Sequence, residues 1–273
     1  MTDSTKRRLQ NEAKEVRKEV IRMILKAHAS HIASAYSVVE LLVYLYDCII
    51  KIDPKKPQDS ERDRFILSKG WGVSALYSVL HRKGFFSSQL IDEYCSDGSK
   101  MIGCATRNGL PGIEATTGSM GHGLAIGAGM AKALLLQKRK GRVFVIISDG
   151  ECDEGATWEA ILLAGHHNLH NLTVIVDYNK WQSFGRTNKV LNMEPFSEKW
   201  KAFNWHVQEI NGHNFEEIEK ATQISLKIMN KPSVIIAHTI KGKGLSAIED
   251  KNEWHYQTPR EREIEIAKRE GLL

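Results

Sequence analysis

The stretch VFVIISDGECDEG, residues 143–155, places five apolar residues of strand-forming type and a serine directly before a cluster of four acids. Residues 143–148 have no polar face, which predicts a β-strand buried on both sides, as in a parallel sheet. Ligands bind outside the carboxyl ends of the strands in such sheets. The acids therefore follow the strand at the edge where a binding site is expected.

Four further apolar segments are predicted to be strands: residues 64–70, 172–179, 206–211 and 233–239. Helical patterns separate them, which predicts an α/β fold with a doubly wound, mostly parallel sheet flanked by helices. Residues 11–27 and 38–49 carry apolar residues at helical spacing, and the small polar segment 27–37 between them is expected to be a loop. No repeat or linker is apparent. We therefore expect one domain over residues 1–273, with the helices of residues 1–60 packing on it.

Composition excludes several classes of protein. The 273 residues carry a net charge of +5 that is spread along the chain, which disfavours nucleic acid as a partner. Four cysteines show neither a C-x-x-C pair nor the spacing of a zinc site, so we expect a cytoplasmic protein without disulfides. The most apolar segment contains Glu40 and Asp47, so no membrane span is expected.

Two polar residues follow neighbouring predicted strands. Asp149 comes directly after the strand of residues 143–148, and Asn179 stands 30 positions later, at the end of the next strand. Carboxylate and amide oxygens suit Mg²⁺ or Ca²⁺, so the pair is a candidate metal site. The alternative is that Asp149 caps a helix and Asn179 forms a turn.

Other polar and glycine-rich positions allow more than one interpretation. Residues 118–123, GSMGHG, precede a helix dense in Ala, Gly and Leu; they either let a ligand approach the backbone or begin a tightly packed core helix. Glu151 and Asp153 are expected in the first turn of the following helix, where negative charge is favoured. Lys241 and Lys243 either face a phosphate or lie in a solvated loop.

Together, several motifs resemble the transketolase family of thiamine diphosphate enzymes. SDGECDEGATWEA, 30 residues before DYNK, is similar to the cofactor motif of a Gly-Asp-Gly followed by Asn. LSKGW, PGIEATTGSMGHGL, VDYNKWQSFGRT and HTIKGKGLS occur in the order of that family. The resemblance covers most of residues 28–255 and implies the diphosphate-binding domain of a thiamine diphosphate enzyme.

The resemblance also implies roles for individual residues. Asp149, Asn179 and the main-chain carbonyl of Trp181 would hold Mg²⁺ or Ca²⁺. Catalytic roles would belong to His31, His255 and Glu154, with Glu154 at a subunit interface. The implied cofactor contacts are Trp71, Gly118, Ser119, Met120, Gly150, Glu151, Asn179 and His255. His31 and Cys104 would face the substrate.

Three positions depart from the family pattern. Trp71 and Cys104 stand where the family has histidines, and Ser148 replaces the first glycine of the cofactor motif. The Trp side chain has a single N–H donor and the Cys thiol is a weak donor. Compared with the two histidines of the family, they replace two titratable contacts with an apolar wall and a small gap. We therefore expect a donor or acceptor that is less like a sugar phosphate, such as a nucleotide-linked keto sugar or a small ketoacid.

The family's pyrimidine-binding domain is not found in this sequence, since only 18 residues follow His255. We expect a second chain to supply it, with this chain as the N-terminal subunit of a split transketolase in an α2β2 assembly. The expected reaction transfers a two-carbon ketol unit from a ketose-type donor to an aldehyde or keto-sugar acceptor. Decarboxylative acyl transfer from a 2-oxo acid such as pyruvate, and a non-catalytic regulatory subunit, are the alternatives.

Overall fold

A computed structural model describes residues 1–273 and contains one five-stranded sheet. The strands are β1 Arg64–Leu67, β2 Val143–Ser148, β3 Leu172–Tyr178, β4 His206–Asn211 and β5 Ser233–His238. They are all parallel and lie in the order β1-β2-β3-β5-β4. All five predicted strands are present, and β1 ends three residues earlier than predicted.

Eleven α-helices connect and flank the strands. They are α1 Asp3–Ala27, α2 Ile32–Tyr36, α3 Val39–Tyr44, α4 Val73–Arg82, α5 Ser88–Asp92, α6 His122–Leu136, α7 Gly155–His166, α8 Thr187–Val190, α9 Phe196–Ala202, α10 Phe215–Lys227 and α11 Glu261–Arg269. The chain continues from α3 as a π-helical turn over Leu45–Ile49, so the helix predicted for residues 38–49 is present in two parts.

Alternate residues of each central strand face two separate hydrophobic layers. On β2, Phe144 and Ile146 belong to one core cluster with residues of α1, α3, α4 and α10. Val145 and Ile147 belong to a second cluster with residues of α6, α7 and α9. The sheet is therefore covered on both faces, and the predicted doubly wound α/β class is confirmed.

The prediction of a loop over residues 27–37 is wrong, because this segment contains α2. A left-handed residue ends α1 at His28 (φ 50°), and a second, His31 (φ 68°), directly precedes α2. All five residues of α2 are buried. The carbonyl of Ala33 accepts a hydrogen bond from the backbone N–H of Gly242 at 2.9 Å. Burial and this long-range bond stabilise a helix that is too short to be recognised from its own residues.

None of the helices combines the length and the apolar character that crossing a bilayer requires.

Candidate functional site

A cavity of about 320 Å³ opens beyond the carboxyl ends of β1, β2 and β3. Its lining combines polar groups from the strand ends with aromatic and sulfur-containing side chains from the surrounding loops. The lining residues are His31, Ser34, Lys69, Trp71, Cys104, Gly118, Met120, Ser148, Gly150, Asn179, Trp181, Gln182, Ser183, Phe184, His255 and Tyr256. Most of the residues predicted for a site are therefore brought to one place. Of the others, Ser119 is exposed outside the lining.

Asp149 lies buried behind the cavity lining. Its Oδ1 accepts the backbone N–H of Gly150 at 3.0 Å, and its Oδ2 accepts the N–H of Lys180 and the hydroxyl of Thr187, both at 2.8 Å. Burial raises the pKa of this carboxyl to about 7, against the lowering effect of these hydrogen bonds. The side chain is thus held rigidly where a neighbouring cation would stabilise its charge.

The side-chain amide of Asn179 has a fixed orientation. Its Nδ2 donates to Oδ2 of Asp177 at 2.9 Å, and its Oδ1 accepts the backbone N–H of Trp181 at 3.0 Å. The last paired residues of β2 and β3 are Ser148 and Asp177, so Asp149 lies one residue and Asn179 two residues beyond the paired ends of neighbouring strands. No three His, Cys, Asp or Glu side chains are grouped as a metal site. A cation here would depend on one carboxylate, one amide oxygen and further oxygens from the backbone and a ligand.

A buried lysine beneath the cavity was not predicted. Lys69 forms an ion pair with Asp177 and also donates to the carbonyl of Ser34 at 3.0 Å and to the hydroxyl of Ser37 at 3.2 Å. Both charged side chains are almost completely buried. The network joins the end of β1, the end of β3 and helix α2, so the strand that carries Asn179 is tied to the segment that carries His31.

Three aromatic rings form one wall of the cavity. His31 packs edge-on against His255 and against Tyr256, with ring centroids 5.3 Å apart in both pairs. Nζ of Lys241 lies 2.8 Å from Nδ1 of His255. Burial, reinforced by the charge of Lys241, lowers the pKa of His31 to about 4 and that of His255 to about 3, so both imidazoles are neutral near pH 7.

The solvated-loop alternative is wrong for Lys241, because its side chain is only 1% exposed. Lys243, two residues later, is partly exposed and pairs with Glu249 at 3.4 Å. The two lysines of the same short motif therefore have different environments. Of the two, only Lys241 contacts a residue that lines the cavity, His255.

The prediction that Glu151 and Asp153 lie in the first turn of the following helix is also wrong. Helix α7 begins at Gly155, and Asp153 ends the 3₁₀ turn Gly150–Asp153 that precedes it. Glu151 lies in the same 3₁₀ turn. Its buried carboxylate accepts the hydroxyl of Ser68 and, at 3.0 Å, the backbone N–H of Gly121. Glu151 thus holds the glycine-rich turn before α6 against the ends of β1 and β2, and it does not line the cavity.

Glu154 and Asp153 also lie outside the cavity lining. Glu154 is half-buried beside Gly121, where a Cβ on that glycine would come within 3.2 Å of the Glu154 Cβ. Asp153 accepts a hydrogen bond from Nε2 of Gln182 at 2.6 Å. These acids border the α6 and α7 surface, apart from the strand-end residues.

Two glycines leave no room for a Cβ at the cavity wall. Gly118 has a φ of 124°, and an added Cβ would lie 2.9 Å from Sγ of Cys104. At Gly150 an added Cβ would lie 2.9 Å from Cγ of Gln182. A side chain at either position would displace a neighbouring group that lines the cavity, so the backbone itself forms these parts of the wall.

The profile of the family described as "Transketolase, thiamine diphosphate binding domain" matches residues 9–271. The chain belongs to the transketolase family. It is 42% identical over 243 residues to the 6-deoxy-6-sulfo-D-fructose transketolase subunit SqwG of Clostridium sp. (strain MSTE9). The aligned region covers 89% of this chain and 88% of that subunit. It is also 38% identical over 262 residues to an apulose-4-phosphate transketolase subunit of Phocaeicola vulgatus, and that alignment covers 96% of this chain and 93% of the subunit.

Solved transketolases share the fold. The transketolase of Campylobacter jejuni superposes with a TM-score of 0.91 at 30% identity, over 99% of this chain. That of Leishmania mexicana superposes with a TM-score of 0.90 at 27% identity, over 96% of this chain. The chain spans only 43% and 41% of those two proteins.

The positions that depart from the transketolase pattern, Trp71 and Cys104, both line the cavity. Sequence reasoning missed other lining residues there, including Lys69, Gln182, Phe184 and Tyr256. Tyr256 directly follows His255, but alternation gives no signal in an irregular segment. Phe184 is 88% exposed at the rim, and nothing in the sequence distinguishes it from an ordinary loop residue.

Proposed function

We propose that this chain is the diphosphate-binding subunit of a two-subunit transketolase that moves a two-carbon ketol unit from a ketose-type donor to an aldehyde or keto-sugar acceptor. The observation that carries the proposal is the placement of Asp149 and Asn179 just beyond the ends of two paired strands, beside the cavity that Gly118 and Gly150 line. We also propose that residues 1–273 act as one diphosphate-binding domain, since the N-terminal helices share its core.

The residues present fit thiamine diphosphate and a divalent cation. Asp149 and Asn179 offer oxygen ligands, and the carbonyl of Trp181 lies in the same turn, which suits Mg²⁺ better than a soft metal. The backbone at Gly118 and Gly150 allows close approach, and Met120 lines the same wall. When bound, the cofactor supplies the electron sink for cleavage of the bond next to a donor carbonyl.

The chain's own side chains contribute position and hydrogen bonds. His31 and His255 are neutral rings on the cavity wall, each with one N–H that can donate to a developing oxyanion. Lys69 lies at the base of the cavity as a buried cation, close to where the charge of a diphosphate would be neutralised. Trp71 and Tyr256 add aromatic rings to the cavity lining.

A second chain with the pyrimidine-binding domain completes the proposed enzyme. The two relatives described above are themselves named as subunits. Helices α6 and α7 expose Ile126 (37%), Leu162 (55%) and Leu163 (48%), with Glu154 at the near end of this surface. Exposed apolar surface next to small residues fits a subunit contact. We propose an α2β2 assembly in the cytoplasm, where the four free cysteines would stay reduced.

The substrate proposal depends on Trp71 and Cys104. The relatives are named for a sulfonated ketose and for apulose 4-phosphate, so the family includes subunits of enzymes for unusual ketoses. We propose that Trp71 and Cys104 select a ketose donor other than an ordinary pentose phosphate. The double variant Trp71→His/Cys104→His should shift the ranking of donors towards pentose phosphates. An unchanged ranking of donors would show that Trp71 and Cys104 do not select the donor.

The test of function uses this chain with its partner subunit, thiamine diphosphate and Mg²⁺. We expect transfer of a two-carbon unit between a panel of ketoses and aldehydes, and no turnover by this chain alone. Carbon dioxide release from pyruvate in place of ketol transfer would favour decarboxylative acyl transfer. Cofactor binding without any turnover would favour a regulatory subunit, and robust activity without the partner would refute the two-subunit proposal.

A further inference from the structure

Lys241 is buried behind the cavity wall, in contact with one ring nitrogen of His255. Its Nζ lies 2.8 Å from Nδ1 of His255, and its side chain is 1% exposed. The contact links the loop after β5 to the 3₁₀ turn Asn252–His255. His255 lines the cavity, whereas Lys241 does not. Nδ1 therefore faces the protein interior, and Nε2 is the ring nitrogen left to face a ligand.

The chemistry of the two groups decides which nitrogen carries the hydrogen. A lysine ammonium has three hydrogens and no lone pair, so it can only donate. Nδ1 of His255 can accept from it only if that nitrogen carries no hydrogen. A neutral imidazole has a single N–H, which must then be on Nε2.

The charge states agree with this assignment. Burial and the neighbouring Lys69 lower the pKa of Lys241 to about 8, so at pH 7 this lysine is still mostly in its protonated, ammonium form. Burial, Lys241 and His31 lower the pKa of His255 to about 3, so its ring stays neutral. The contact is therefore one between a cation and a neutral acceptor.

We propose that Lys241 is a positioning residue that fixes His255 as the Nε2–H tautomer, so that His255 presents a hydrogen-bond donor to an acceptor oxygen of the bound ligand. The identity of that ligand, a diphosphate or a ketose, rests on the proposed function, but the tautomer does not. In this state His255 cannot accept a proton at Nε2. It stabilises negative charge on an oxygen and is not the general base.

His31 has a different constraint. Its Nδ1 lies 2.8 Å from the hydroxyl of Ser30, which can either donate or accept. This contact leaves both tautomers of His31 available, so of the two rings only His255 is held in one tautomer.

The test is a nitrogen NMR measurement on the full chain labelled with ¹⁵N-histidine, with His255→Gln used to assign the signals. We expect Nδ1 of His255 at the position of an unprotonated nitrogen and Nε2 at that of a protonated one. A protonated Nδ1 in the unsubstituted chain would overturn the proposal. This measurement needs no turnover, so it remains decisive even if the proposed reaction is wrong.

Variants then assign the effect to Lys241. Lys241→Met should give a mixture of His255 tautomers and raise the His255 pKa towards its ordinary value of 6.5, because the neighbouring cation is lost. Lys241→Arg should keep the Nε2–H form. Lys243→Met removes the partly exposed lysine of the same loop and should change neither signal. A pure Nε2–H tautomer in Lys241→Met would show that Lys241 does not set it.

Ligand addition identifies the acceptor oxygen. Inorganic pyrophosphate with Mg²⁺ should shift the Nε2–H signal of His255 if the acceptor belongs to a diphosphate. A shift that appears only when a ketose is added to the complex with the partner subunit would assign the acceptor to the substrate. No shift with either ligand would overturn the donor role.

Discussion

Asp177 shows how much of the site depends on one buried residue. Its carboxylate accepts hydrogen bonds from Lys69, Thr239, Ser37 and Asn179, the last two at 2.8 and 2.9 Å. Burial alone would raise the pKa of Asp177, but the charge of Lys69 and these hydrogen bonds lower it. An ionised Asp177 can only accept, so the amide nitrogen of Asn179 must face it, and the amide oxygen, which accepts the backbone N–H of Trp181, keeps a second lone pair for a ligand.

Removing Lys69 should leave the Asp177 charge buried without its partner. We expect Lys69→Met to lower the free energy of unfolding by about 3–5 kcal/mol, the usual cost of breaking a buried ion pair. The double variant Lys69→Met/Asp177→Asn removes both charges and should lose less. Urea denaturation measures both, with Lys268→Met on the surface as a control expected to cost under about 1 kcal/mol. A double variant less stable than Lys69→Met would contradict this assignment.

At the scale of elements, buried charges also connect helices that are distant in sequence. Arg17 of α1 donates to both carboxylate oxygens of Glu40 on α3, at 2.8 and 2.9 Å. Nδ1 of His213, in the loop before α10, lies 2.9 Å from the same carboxylate, while its Nε2 accepts the backbone N–H of Ile240. The network joins three helix-bearing segments on one face of the sheet.

Glu40 should make this face sensitive to acid. Burial would raise its pKa, but Arg17 and His213 outweigh that effect and lower the pKa to about 2, from 4.5 for a free glutamate. A lowered pKa gives stability that is present above pH 4.5 and is lost as the pH falls towards 2, about 3 kcal/mol in all. Denaturation followed between pH 6 and pH 2 should show a smaller pH dependence in Glu40→Gln. Glu265→Gln, on the surface, should stay close to the wild-type pH dependence, and an unchanged pH dependence in Glu40→Gln would contradict the account.

The elements also show where local sequence fails as a guide. The five strands could be predicted because burial on both faces makes each one continuously apolar. Helix α2 could not, since its five residues are helical through burial against other segments rather than through their own spacing. The burial of Glu151 and Lys241 could not be predicted either, because no local pattern marks these polar residues as buried and only the packing of distant elements covers them.

At the scale of the whole molecule, the site lies at the carboxyl edge of the sheet and an apolar surface lies on α6 and α7. Five strands deliver their ends to one edge, which explains why motifs from across the sequence meet in one cavity. The neighbouring surface includes Leu162, Leu163 and the exposed Gly129, where an added Cβ would meet nothing within 4 Å. Small residues beside exposed leucines suit close packing against another helix.

Charge on this surface should disrupt assembly. We expect Leu162→Lys/Leu163→Lys to reduce the mass of the complex formed with the partner subunit, measured by sedimentation velocity, because lysines would be buried in the contact. Met229→Lys, at an exposed apolar residue away from α6 and α7, should leave the mass unchanged. A full-size complex in the double variant would show that subunits meet elsewhere.

In the proposed enzyme, Asp149 and Asn179 bind thiamine diphosphate through a divalent metal. Calorimetric titration of the cofactor into the complex with the partner subunit, with Mg²⁺ and then with a chelator, tests this binding. We expect saturable binding that the chelator abolishes. Asp149→Asn should weaken it by more than the roughly 10- to 100-fold that loss of an outer-shell partner costs, while Asp153→Asn should have little effect. Absence of binding by the unsubstituted complex, or equal affinity in Asp149→Asn, would contradict the account.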